Sequence, residues 1–140
     1  MTKKNLIERK GVNNADVRHY VNAKKAFKTN TESIYGVQYL AANKSMSDWN
    51  MMEGDYEQGY KPHTYVVYSY GTHFPMYVYD YEAEKWFGNI DKYSKSTTKH
   101  MGCAKPTEEI HEWYDTAMMK RIINNGYIQL LTQRLEGAPQ

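Results

Sequence analysis

The 140-residue chain holds one cysteine, Cys103, four prolines, and only three residues each of Trp and Phe. A single thiol excludes an intramolecular disulfide and fits a reducing compartment. It also leaves no cysteine framework for zinc, and no histidine pair stands at the H-x-x-x-H spacing of a metal site. No apolar run approaches the roughly 20 residues that cross a bilayer. The basic start, Met1 to Lys10, has no apolar stretch behind it to make a secretion signal, so a cytoplasmic protein without a membrane partner is expected. Strong charge of either sign is missing too. A formal charge of +2 argues neither for nucleic acid nor for membrane by itself, so any basic site has to be local. There is no P-loop, no dinucleotide-binding glycine pattern and no nucleophile elbow. No spacing meets the geometric demands of a catalytic constellation. The expectation is a non-enzymatic protein with no metal and no cofactor.

What the chain has instead is tyrosine. Fourteen occur in 140 residues, eight of them between Tyr56 and Tyr81. Each combines a broad apolar ring with a polar hydroxyl and loses little side-chain freedom when fixed. At 41% hydrophobic and 24% charged, the composition is that of a globular domain. The length suits one domain over 1–140, with 1–13 and 136–140 frayed.

The expected fold class is α+β. An antiparallel meander of three or four strands (about 34–41, 64–70, 75–81 and 85–90) packs against an N-terminal helix (about 15–28) and a C-terminal helix (about 107–124). Val17, Tyr20, Val21, Lys24 and Phe27 fall at helical spacing after a capping Asn14. Gly36 suggests a bulge in the first strand. The Thr64–Tyr70 and Pro75–Tyr81 runs are rich in β-branched and aromatic residues around turn chemistry at 71–75. Alternation puts Tyr77, Tyr79 and Tyr81 on one face and Met76, Val78 and Asp80 on the other, with a tyrosine-lined face left uncovered. Ile110, Trp113, Tyr114, Ala117, Met118 and Arg121 follow helical spacing after Pro106. That reading makes Trp113 a core residue. A last short helix covers about 127–135.

Two sets of residues stand out as candidate sites. Lys92, Tyr93, Ser94, Lys95, Ser96, Thr97, Thr98, Lys99 and His100 form a basic, hydroxyl-rich loop of the kind that holds a phosphate or a nucleic-acid backbone. The bland alternative is that its hydroxyls close local turns and cap the next element. Trp49, Met51 and Met52, in the long 43–60 loop, and Tyr77, Tyr79 and Tyr81 are candidates for a partner interface. The carboxylates Asp55, Glu57, Asp80, Glu82 and Glu84 read as turn and edge charges.

The segments Tyr65-Val-Val-Tyr-Ser-Tyr-Gly-Thr-His-Phe-Pro75 and Lys92-Tyr-Ser-Lys-Ser-Thr-Thr-Lys-His100, with the Trp86 strand between them, resemble a widespread family of small uncharacterised tailed-phage proteins. Its pattern is Y-S-Y-G-x-x-x-P, a tryptophan strand, then K-Y-S-x-T-T-x-K-H. The likeness covers about residues 64–106. Within 101–106 only Lys105 and Pro106 keep the pattern. The resemblance implies a phage product acting in the host cytoplasm. Two functions are then expected as alternatives. One is an accessory protein that binds and inhibits or redirects a host protein, with a defence protein as one candidate. The other is a nucleic-acid or nucleotide binder using 92–100 beside the tyrosine-rich sheet.

Overall fold

The computed structural model describes residues 12–39, 63–71, 73–91 and 94–137, with side chains described through residue 132. The expectations for 1–11, for the 43–60 loop with Trp49, Met51 and Met52, and for Lys92 and Tyr93 lie outside the described residues.

Among the described residues the fold is α+β, built on a six-stranded mixed sheet and four α-helices. The strands are β1 Phe27–Lys28, β2 Ile34–Tyr39, β3 Thr64–Ser69, β4 Phe74–Asp80, β5 Lys85–Asn89 and β6 Ile110–Tyr114. They lie side by side in chain order, antiparallel through β5, with β6 parallel to β5. A parallel pair needs a crossover, and helix α2 (Lys95–Ala104) supplies it. Helix α1 is Val17–Ala23, α3 is Thr116–Asn125 and α4 is Tyr127–Gly137.

Both faces of the sheet are buried across its central strands β3 to β5, where an uncovered tyrosine face was expected. Val17 and Val21 of α1 and Ala104 of α2 pack with Phe27, Ile34, Tyr65, Val67, Met76, Tyr77 and Trp86. On the opposite face, Met119, Ile122 and Ile123 of α3 and Tyr127 and Leu130 of α4 pack with Val37, Val66, Tyr68, Val78 and Phe87. Every residue of β3 is buried, as expected of a strand covered on both sides. A register shift between Val67 and Tyr68 puts a bulge in β4. Met76 and Tyr77 therefore join the same core, although strict alternation separates them.

Three further expectations are corrected. The N-terminal helix stops at Ala23, because Lys24 takes a left-handed conformation (φ 56°) and bonds back to Tyr20 and Val21. Phe27 enters the core from β1 rather than from that helix. The Gly36 bulge is absent, and β2 pairs with β3 in continuous register. Gly36 is required for another reason: a Cβ there would collide with the Phe27 ring and the Tyr65 hydroxyl. The C-terminal helix begins at Thr116 rather than near 107. Its cap is Asp115, whose side chain accepts from Met118 N at 2.9 Å. Ile110–Tyr114 is rich in strand formers and instead completes the open edge of β5. Trp113 consequently lies 43% exposed, over Gly88 and edge-on to Tyr77.

Candidate functional site

From Lys95 onward the basic segment is a helix and not the expected loop. Ser94 caps α2 by accepting from Thr97 N at 3.1 Å. Thr97, His100, Met101 and Ala104 fall at i, i+3, i+4 and i+7. Thr97, His100 and Ala104 are buried, and Met101 packs against the same core. The buried stripe is polar, so it bonds as well as packs. Ser69 Oγ of β3 lies 2.9 Å from His100 Nδ1 and 3.3 Å from Thr97 Oγ1. Tyr70, left-handed at φ 55° and half exposed, lies with its ring 5.1 Å from that of His100. Burial, then the Lys99 charge, holds the imidazole below its usual range, so it is neutral near pH 7. The two motifs of the sequence are thus fastened to each other by Ser69, Thr97 and His100. Lys95, Ser96, Thr98 and Lys99 stay exposed.

The candidate interface tyrosines separate. Tyr77 is 2% exposed, and its hydroxyl donates to Met101 O at 3.0 Å. Burial pushes that phenol up to about 12, against the lowering pull of Arg18. It is a core residue and presents no surface. Tyr79 and Tyr81 are half-buried and meet edge to face, ring centres 5.0 Å apart at 89°.

Beside Tyr79 opens a cleft of about 410 Å³, lined by Tyr79, Glu84, Lys85, Trp86, Glu108, Glu109 and His111. Three elements assemble it. The end of β4 and the tight turn into β5 bring Tyr79 and Glu84 to Trp86. Asp80 Oδ1 closes that turn by accepting from Ala83 N at 2.9 Å. The stretch between α2 and β6 brings the other glutamates. It is held by Arg18 of α1, which donates to Gly102 O and Lys105 O, both at 2.8 Å. Asn22 secures it further by accepting from Thr107 N and donating to Thr107 Oγ1. The indole Nε1–H of Trp86 then donates to Glu108 Oε1 at 2.7 Å.

The third element is the turn after α1. Lys25 N bonds Tyr20 O and Lys24 N bonds Val21 O, both at 3.0 Å, the six-to-one pattern that ordinarily has glycine in the left-handed position. Here that residue is Lys24. Its Nζ sits 4.3 Å from the Tyr79 ring centre, 5.6 Å from that of Trp86 and 3.5 Å from Glu108 Oε1. An ammonium over ring faces is attracted by their quadrupoles. Desolvation, followed by the charges of Glu108, Glu84 and Asp80, raises the Tyr79 phenol.

Sequence reading treats Glu84 as a turn charge and misses Lys24, Trp86, Glu108 and Glu109 as a group. They come from three separate places in the chain, and no spacing announces them. A second cavity, about 230 Å³, lies between β6, α3 and α4, lined by Tyr114, Met118, Arg121, Ile122, Tyr127, Leu130 and Leu131. Among the described residues no three His, Cys, Asp or Glu gather as metal ligands, and no helix is long and apolar enough to cross a membrane. No family model, curated protein or solved structure matches the chain.

Proposed function

We propose that this is a non-enzymatic binding protein that holds a host protein at the Tyr79–Tyr81 rim and the cleft beside it. In line with the tailed-phage resemblance, it acts in the bacterial cytoplasm as an accessory factor that inhibits or redirects that partner, a defence protein being one candidate. The observation that carries this reading is the half-buried ring pair Tyr79–Tyr81, of which Tyr79 lines a cleft of about 410 Å³. Rigid aromatic groups at the edge of a concavity are what protein interfaces enrich. The test is affinity capture from host lysate, with and without nuclease, using the wild-type protein and Tyr81→Ala with Tyr79→Ser. The expected outcome is a host protein retained after nuclease treatment and lost by the double variant, whose fold is checked by its thermal melt. Retention unchanged in the double variant removes this face from the proposal.

The second reading, nucleic-acid or nucleotide binding through 92–100, draws support from Lys95 and Lys99. They are exposed and one turn apart on α2. Binding of that kind falls steeply as salt rises and is abolished by Lys95→Glu with Lys99→Glu. An aromatic interface changes little with salt. A gel-shift titration at two salt concentrations separates the two.

A further inference from the structure

We infer that the cleft bounded by Tyr79, Glu84, Trp86, Glu108 and Glu109 is a receptor for an alkylammonium or guanidinium group, the lysine or arginine side chain of a partner protein, and that Lys24 is its internal competitor. The inference rests on the protein-binding reading above and deepens it. Acidic residues alone would not make such a site. Here a cation is already seated. The Lys24 ammonium lies over two rings and against a carboxylate, and so shows which chemistry these groups accept. The cleft of about 410 Å³ remains open with Lys24 in place. Glu84 and Glu109 line it together with Lys85 and His111, and neither glutamate has an ion-pair partner within 4 Å among the described residues.

Backbone conformation points to the same residues. Four non-glycine residues among those described have positive φ: Lys24, Glu32, Tyr70 and Glu84. Two of them, Lys24 and Glu84, supply charge to this cleft. A left-handed conformation outside glycine is strained, and glycine at either turn would avoid it. What glycine cannot supply is the ammonium or the carboxylate. Glu108 is aimed by the Trp86 indole, so its negative charge is held at the rings before any ligand arrives. Preorganisation of that kind lowers the ordering cost of binding.

The test follows the Trp86 indole N–H resonance during titration with Nα-acetyl-lysine methylamide. The uncharged Nα-acetyl-norleucine methylamide is the control, and spermidine is a separate arm. The lysine analogue is expected to shift the resonance with a millimolar Kd, and norleucine is expected to leave it in place. Lys24→Met keeps the alkyl stem and removes the competing charge, so it should tighten binding about threefold to tenfold. Glu108→Gln keeps an acceptor for the indole and should weaken it about threefold or more. Equal responses to lysine and norleucine analogues, in both wild type and Lys24→Met, overturn the inference. Spermidine binding without a response to the lysine analogue overturns the assignment to a protein side chain. A host protein captured equally by wild type and Glu108→Gln leaves the binding-protein reading standing and sinks this one. Lysine-analogue binding with no protein captured does the reverse.

Discussion

On the sheet face covered by α1 and α2, Tyr65, Tyr77 and Trp86 each end on a named acceptor: Lys25 O at 2.7 Å, Met101 O at 3.0 Å and Glu108 Oε1 at 2.7 Å. On the face beneath α3 and α4, the sheet offers Val37, Val66, Val78 and Phe87 to Met119, Ile122 and Ile123. Its two buried phenols there, Tyr39 and Tyr68, bond to each other at 3.0 Å. Both faces remove apolar surface from water, the largest favourable contribution to folding. Only the first ties its rings to turns and helix ends, and those turns carry Lys24 and the glutamates. One face supplies bulk stability. The other sets the positions of groups at its margin, and there the cleft forms.

Substitutions can break that comparison. The largest effect is expected for Phe87→Ala on the aliphatic face. Phe87 is fully buried against Tyr114 and Tyr127, and its loss leaves a cavity costing about 3–5 kcal/mol in urea denaturation. A cost below about 1.5 kcal/mol would mean that α3 and α4 close over the space. Gly36→Ala comes next, at about 1–3 kcal/mol. Its Cβ meets the buried Phe27 and Tyr65, and neither has room to yield. Unchanged stability would show that β1 shifts freely. Tyr65→Phe removes only a hydroxyl and leaves Lys25 O without its donor, for about 1–2 kcal/mol. It should also disturb the Trp86 indole resonance, a sign of positional control that Phe87→Ala does not share. Trp113→Ala, on a ring 43% exposed, is expected to cost about 1–2 kcal/mol and less than Phe87→Ala.

The smallest effect is a pH dependence. His100 is depressed below its ordinary value of 6.5, so the unfolded chain takes up its proton more readily than the folded one. The resulting stabilisation is complete above about pH 6.5 and is lost as pH falls from there through the depressed folded value. Denaturation midpoints measured across that window should decline toward acid, and His100→Asn should flatten the contribution. An unchanged slope would mean that burial beside Lys99 does not hold the imidazole below its ordinary value.

Much of the central meander was legible because Thr64–Ser69 and Phe74–Asp80 carry strand-forming residues around a clear turn. Alternation correctly separated Val66 and Tyr68 from Tyr65 and Val67. It failed at Met76, where a bulge adds one residue to the count. The helical spacing of Ile110, Trp113, Tyr114 and Met118 misled because a strand and the following helix together reproduce a three-and-four pattern. The helix starts at its Asp115 cap and not at Pro106. Helix α2 was missed because its buried stripe is threonine, histidine and alanine rather than leucine. The spacing 97, 100, 101, 104 was nevertheless in the chain. Lys24 keeps the helical spacing of Val17, Tyr20 and Val21 but caps the helix, which ends at Ala23.

The order of residues by itself determined the identity of the main strands, their aromatic and β-branched content, and the shortage of polar positions that left both sheet faces in need of cover. Those are local properties, set by side-chain shape and by alternation along a pleated backbone. The tertiary structure alone decided which face each helix covers, that Ser69 meets His100, and that Lys24, Tyr79, Glu84, Trp86 and Glu108 converge on one cleft. Such meetings depend on sheet order and on a few turns that bring distant segments together, and no local preference along the chain encodes them.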